Sequence, residues 1–195
     1  MHAQRPFAHA APPLETDRLL LRAHTARDLD AACSLWNHPM VVENITGKTA
    51  GTQEIWFRIL RYAGLWPLLG YGYWAVEEKS TGRFVGDVGF ADFHRDIEPS
   101  LLGIPEAGWL LDPGHHGKGY ATEAVLAVLR WLDRGDAGSS SVCIISPTNE
   151  ASLRVADKCG YRETHRTVFN ERPTMLLRRD SCASHPRARL TTFGT

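Results

Sequence analysis

The sequence predicts a mixed α/β domain, and three observations carry that prediction. Strand-like and helix-like segments interleave along the chain instead of segregating into halves. The most regular helical pattern places Ala121, Ala124, Val125, Val128, Leu129 and Leu132 on one face, directly after a strand-like run and a glycine-bearing loop. A buried-type strand over 142–146 and a helix over 149–159 then complete a late β-α-β-α unit.

The remaining elements follow in order. Residues 18–22, Arg-Leu-Leu-Leu-Arg, suit a short strand. A helix begins near Thr25, three residues before Asp28 in a capping-box spacing, with Leu29, Ala32, Cys33 and Trp36 as its apolar stripe. Asn37-His38-Pro39 ends it, because a residue before proline disfavours the α region. A second helix starts at Thr52 and presents Ile55, Trp56, Ile59, Leu60 and Ala63 on one face. Residues 73–77 and 84–90 read as antiparallel neighbours, since Lys79-Ser80-Thr81-Gly82 has hairpin chemistry. A strand over 106–111 leads into the loop 112–119; Gly160 caps the helix over 149–159. Two short strands, 162–168 and 174–178, close a domain spanning 14–180. Residues 1–13 read as a flexible leader and 181–195 as a flexible tail.

Composition narrows the function. The 195 residues carry 22 Lys+Arg against 22 Asp+Glu, a formal charge of zero. Holding nucleic acid depends on clustered cations, so that class is set aside, although a local cradle for a small polyanion is compatible with neutrality. Residues 63–70, a central stretch without charge, are far short of the ~20 a membrane span needs. The N-terminus lacks a signal peptide's apolar region. Cys33, Cys143, Cys159 and Cys182 form no CxxC pair, which favours free thiols in a reducing compartment, the cytoplasm. No histidine spacing fits a metal.

The segment from Asp112 to Ala124 carries the chemistry. A glycine-bearing loop entering a helix offers unpaired amides and the positive end of the helix dipole to a phosphate. Gly117 and Gly119 permit close approach and Lys118 adds charge; the same glycines also suit an ordinary tight loop. A P-loop is excluded, because two residues rather than four separate Gly114 from Gly117-Lys118. A dinucleotide fingerprint fails at Thr122, where a third glycine belongs, and at Ile145-Ser146-Pro147, which lacks the acidic ribose partner. The form [Gln/Arg]-x-x-Gly-x-Ala fits, as His116-x-x-Gly119-x-Ala121.

Four ordered stretches resemble the GNAT (Gcn5-related) N-acetyltransferases over residues 14–179, in the ribosomal-protein-alanine acetyltransferase-like (RimJ/RimL-type) branch. They are Glu15-Thr-Asp-Arg-Leu-Leu-Leu-Arg22, Tyr71-Gly-Tyr-Trp-Ala-Val76, Glu106-Ala-Gly-Trp-Leu-Leu through Ala124, and Asn149-Glu-Ala-Ser152 continuing to Lys158-Cys-Gly-Tyr161. The resemblance implies an acyl-CoA N-acyltransferase fold: about 6–7 strands in a twisted mixed sheet with about four helices, splayed between the strands of Leu111 and Ile144. Acetyl-CoA would enter that splay with its pyrophosphate on Gly117, Lys118, Gly119, Tyr120, Ala121 and Thr122. His116 departs from the family's usual Gln or Arg and, when neutral, offers one ring donor.

Acetyl transfer to an amine requires loss of a proton from a group with a free pKa of about 10, stabilisation of a developing oxyanion, and a thiolate leaving group. A backbone N–H near Leu110 or Leu111 serves the oxyanion. Glu106 is the candidate base, directly or through water. The resemblance puts Asn149 against the pantetheine and Ser152 near the sulfur, whereas simple helix capping by Asn149 is the alternative. Many enzymes of the fold place a tyrosine acid four residues after that serine, where this chain has Ala156, so Ser152 inherits an acid or orienting role. Trp56, Tyr62, Trp66, Tyr71, Tyr73 and Trp74 are either acceptor-pocket walls or core. Cys143 and Cys159 read as buried hydrophobes, and His94 and His115 as solvated loop residues. Glu43, Asp87, Asp92 and Asp96 are available to a cationic acceptor. The expected partners are acetyl-CoA and a primary amine, either a protein N-terminus or a small molecule such as an aminoglycoside, with no metal, nucleic acid or membrane and a monomeric or homodimeric state. A non-catalytic acyl-CoA-binding module is the alternative of another class.

Overall fold

A computed structural model describes residues 10–135 and 140–180. One mixed sheet runs β1 (Leu14–Glu15), β2 (Leu19–Arg22), β3 (Tyr73–Glu78), β4 (Arg83–Ala91), β5 (Glu106–Leu111), β6 (Ser141–Ile145), then β8 (Arg172–Arg179) and β7 (Arg162–Phe169). The eight strands exceed the 6–7 expected because β1, two residues long, pairs at the edge through Leu14 and Glu15. Every neighbouring pair is antiparallel except β5 and β6.

The helices are α1 (Leu29–Trp36), α2 (Pro39–Val41), α3 (Thr52–Leu69), α4 (Tyr120–Asp133) and α5 (Glu150–Lys158), one more than the four expected. The addition is the single turn α2, where Pro39 occupies the first helical position and a π-turn over Val42–Thr46 follows. Ahead of α1, the Thr25 N–H donates to Asp28 Oδ2 at 2.7 Å, and Arg22 binds both oxygens of that carboxylate, so the predicted cap is locked onto β2.

Helices α4 and α5 cover one face of the sheet and bury Ala124, Val125, Val128, Leu129, Ala156 and Cys159 against Leu19, Leu21, Val76, Val85 and Leu111. Helices α1 and α3 cover the other, with Leu35, Trp36, Ile55, Ile59 and Leu110 in contact. The buried face of α3 is Ile55, Ile59, Tyr62, Leu65 and Trp66, whereas Leu60 and Ala63 are exposed. The face is rotated from the expected one because the Trp66 indole bonds the Tyr73 carbonyl at 3.1 Å and packs edge-on to Trp74. Trp66 and Trp74 are thereby core.

Of the expected leader, Ala11 is buried and Pro12 O accepts from Trp74 Nε1 at 2.7 Å. Residues 1–9 and the expected tail, 181–195 with Cys182, lie outside the described residues.

Candidate active site

Strands β5 and β6 pair at one register, Glu106 with Val142, where Val142 N–H donates to Pro105 O at 3.0 Å. Beyond it they diverge. An antiparallel ladder alternates its bonds between sides. Because Asp112 N–H donates to Val85 O at 2.9 Å, Leu110 N–H faces β4, whereas the amides of Trp109 and Leu111 face the gap. Of the two amides expected to polarise a carbonyl, Leu111 therefore has the required direction.

A cleft of about 600 Å³ opens at the C-terminal end of β5, between the start of α4 and α5. Leu110, Leu111, His116, Gly117, Gly119, Tyr120, Ala121, Thr122, Asn149 and Ser152 all lie on it, as ten of the residues singled out from sequence. Gly117 and Gly119 have φ of +75° and +81°, and Gly119 forms the N-cap of α4. The α4 N-terminus thus presents its amides and dipole to the cleft.

Lys118 is not brought to the cleft wall. Its carbonyl is held by Arg18 Nη1 at 2.8 Å and its ammonium lies 5.8 Å from the Tyr120 ring centre. His116 Nε2 lies 3.1 Å from Leu111 O. A carbonyl only accepts, so that nitrogen carries hydrogen, and a neutral His116 spends its one donor inside the protein. His115 is on the cleft wall beside Tyr120 with 17% of its side chain exposed, not solvated as expected; His94 is exposed.

Sequence reasoning did not single out Arg18, Glu123, Arg154 or Lys158. Arg18 pairs with Glu123, whose carboxylate also accepts from the Thr16 hydroxyl and the Arg18 N–H, tying the loop to β2. The signal was present, since Arg18 stands in the first ordered stretch and Glu123 follows the glycine loop. Arg154 and Lys158 project from α5 onto the cleft, opposite the loop. Their i, i+4 spacing with their distance from Gly119 concealed that relation.

A second cavity, about 580 Å³, lies on the α1/α3 face and reaches the first at Ile45, Trp109, Leu110, Asn149 and Ser152. Glu106 is on its wall, buried, with both oxygens bound by Arg95 at 2.7 and 2.9 Å. Asp87 is also on it, its oxygens engaged by His24 Nε2 at 2.8 Å and Trp36 Nε1 at 3.2 Å. Tyr62 and Tyr73 stack with centres 4.3 Å apart and line it; Trp56 and Tyr71 do not. Burial pushes both tyrosine hydroxyls well above their ordinary range, so they remain proton donors.

At the mouth shared by the cavities, Asn149 Oδ1 accepts from Ser152 N–H at 3.0 Å, the N-cap bond of α5. Capping and a place on the cleft coexist in Asn149. Cys143 and Cys159 are buried, with burial pushing the Cys143 thiol up strongly and that of Cys159 to about 11. No group of three or more His, Cys, Asp or Glu able to hold a metal occurs among the described residues, and no described helix is long and apolar enough to cross a membrane.

A sheet parted at one parallel pair, with a glycine-capped helix at one end of the gap and an acceptor-sized cavity at the other, defines an acetyltransferase architecture. The chain belongs to the GNAT acetyltransferase family, whose acetyltransferase (GNAT) domain model matches residues 18–162. It is 32% identical over 159 residues to the uncharacterized protein YkkB of Bacillus subtilis (strain 168), covering 78% of this chain and 86% of that one. Among solved structures it is similar to an acetyltransferase from Agrobacterium tumefaciens str. C58, with 25% identity, a TM-score of 0.73, and 90% and 98% of the two chains covered. The ribosomal-protein-S5-alanine acetyltransferase from Vibrio fischeri shares the fold at 16% identity and a TM-score of 0.73, with 90% and 100% covered. So does AAC(6')-Ib in complex with paromomycin and acetyl-CoA, at 18% identity and 0.70, with 89% and 98% covered.

Proposed function

We propose that this protein transfers the acetyl group of acetyl-CoA to a primary amine by direct attack in a ternary complex. The observation that carries the reading is the parting of β5 from β6 after Glu106 and Val142, which joins two cavities at Trp109, Leu110, Asn149 and Ser152. A thioester entering from one cavity and an amine from the other meet at that junction.

The residues fit such a co-substrate. A Cβ added at Gly117 would meet nothing within 4 Å and one at Gly119 only Arg18 Nη2 at 3.6 Å, so the protein leaves both glycines open to a ligand's approach. The amides from Gly117 to Thr122 hold the pyrophosphate, and Arg154 and Lys158 add charge from the opposite wall. Acetyl-CoA supplies an activated acyl group. Leu111 N–H is directed to polarise a carbonyl in the gap. Glu106 accepts the amine proton, directly or through water, and Ser152 orients or assists the leaving sulfur. In balance, an N–C bond forms, a C–S bond breaks, CoA leaves as its thiol and the ammonium yields one proton to solvent by way of Glu106.

A reducing compartment, the cytoplasm, is the reading that the free Cys33, Cys143 and Cys159 support. The test is thiol release from acetyl-CoA against a panel of amino acids, peptides, polyamines and aminoglycosides. Amine-dependent release is expected. Tight acetyl-CoA binding with no turnover of any amine would instead leave an acyl-CoA-binding module.

A further inference from the structure

The acceptor cavity is lined by three guanidinium groups, Arg58, Arg95 and Arg172, against two carboxylates, Asp87 and Glu106. Both carboxylates already have internal partners. Asp87 is held by His24 and Trp36, and Glu106 by both arms of Arg95. Glu43, Asp92 and Asp96, considered for a cationic acceptor, are absent from the wall, and Asp92 instead accepts from the His94 and Gly103 amides. Two cations remain. Arg58 lies over the Trp36 ring at 3.6 Å with its buried Nε lacking a hydrogen-bond partner, and no carboxylate pairs with it among the described residues. Arg172, on β8 beside Gly47, has no carboxylate partner among them either.

Resting on the reading above, we propose that the acceptor is a small amino acid, an amine that carries its own carboxylate, and that Arg58 and Arg172 receive that carboxylate. A cavity of about 580 Å³ matches a small molecule. A guanidinium without an internal anion is matched by a ligand carboxylate, to which it offers a planar pair of donors. A polycation such as an aminoglycoside meets two guanidinium groups that have no carboxylate partner among the described residues, and only carboxylates that already have internal partners, so its binding is opposed. With the carboxylate received by Arg58 and Arg172, the amine is left for the mouth at Trp109 and Ser152, where the acyl group arrives.

The test compares kcat/KM for a set of free amino acids, their methyl esters and amides, short peptides bearing Asp or Glu, spermidine and an aminoglycoside, at fixed acetyl-CoA. The best free amino acid is expected to exceed its own ester by roughly tenfold or more, the size of one charge-assisted contact, and to exceed the peptides and both polycations. Arg172→Gln should cut that acid-to-ester ratio toward one through KM, and Arg172→Lys, which keeps the charge but not the planar donor pair, should keep part of it. Arg172 is exposed, so these variants remain informative even where Arg58→Gln disturbs the Trp36 contact; acetyl-CoA affinity measured alongside reports the state of the fold. An ester or polycation turned over as well as the free acid, an acidic peptide preferred to it, or an unchanged ratio in Arg172→Gln overturns the proposal while leaving the acetyltransferase standing. Absence of turnover with every amine overturns both, by way of the first.

Discussion

Arg95 binds both oxygens of Glu106, at 2.7 and 2.9 Å, on the wall of the second cavity. The pair fixes the carboxylate in one rotamer and uses one lone pair on each oxygen, leaving the others for a water or an amine. Replacing Glu106 by Gln removes the proton acceptor and also leaves Arg95 against a neutral amide. The expected result is a fall in kcat of about a hundredfold or more, with acetyl-CoA affinity retained. The same variant should lose about 1–3 kcal/mol of stability, less than a fully buried pair because a quarter of the Arg95 side chain is exposed. Steady-state kinetics with chemical melts checks both; kcat within threefold of wild type removes Glu106 from the chemistry.

Gly119 caps α4 at φ +81°, a region that a β-branched residue adopts only with strain. Gly119→Val is expected to weaken acetyl-CoA binding at least tenfold, since it both twists the amides out of line and puts two methyls where a phosphate approaches. Gly119→Ala should fall between the two. Isothermal titration measures it, and an unchanged Kd in the Val variant discards the phosphate cradle.

The strands, the α4 stripe and the glycine loop were legible in the sequence because each is set by local pattern: alternation, a period of 3.6, and glycine where φ is positive. The α3 face was misread because tertiary contact decided it. Trp66 reaches the Tyr73 carbonyl and turns the helix so that Leu60 faces outward, and no local rule contains that bond. The glycine loop was visible, but its fastening by Arg18 and Glu123, 105 residues apart, was not. Likewise the candidate carboxylates could be named while their partners could not. Asp87 belongs to His24 and Trp36 only after the sheet brings β2, α1 and β4 together. Charge counted along the chain gave zero, whereas the second cavity is lined by two arginines with no carboxylate partner among the described residues.

Acid should destabilise the protein through Asp28 and Glu123. Burial pushes the Asp28 carboxyl up, but the Arg22 guanidinium and the Thr25 N–H outweigh it and hold the group below its usual value. Burial likewise pushes Glu123 up, and the Thr16 hydroxyl with the Arg18 N–H and guanidinium bring it below. A carboxyl whose pKa is lower folded than unfolded stabilises fully above the unfolded value, about 4, and loses that stabilisation as pH falls through the folded one. Melting temperature should therefore hold from pH 7 to 5 and drop below about pH 4. Asp28→Asn should start lower at pH 7 and drop less, which thermal melts across that range read directly.

The thiols of Cys143 and Cys159 should resist alkylation in the folded protein. Burial raises both, Cys159 to about 11, so at pH 8 neither holds an appreciable thiolate fraction. Iodoacetamide labelling followed by peptide mass spectrometry is expected to find them unmodified until denaturant is added. Labelling of either at the rate of a free thiol would mean that the core opens readily around α5.

Asn149 and Ser152 share one hydrogen bond, so their substitutions separate a structural part from a chemical one. The Asn149 side chain accepts at the N-cap of α5, and Asn149→Ala should cost about 1 kcal/mol and weaken acetyl-CoA binding together, because the frayed helix start is a wall of the cleft. Asn149→Asp keeps an accepting oxygen and should restore the stability. Ser152 contributes its backbone N–H to that cap, which Ala supplies equally well, so Ser152→Ala should melt with the wild type. Ser152 lines both cavities where they meet, and kcat should fall by about tenfold if its hydroxyl orients the sulfur and by a hundredfold or more if it serves as the acid. Thermal melts and kinetics on the three variants decide the matter; a Ser152→Ala enzyme of wild-type kcat would assign the residue to the wall alone.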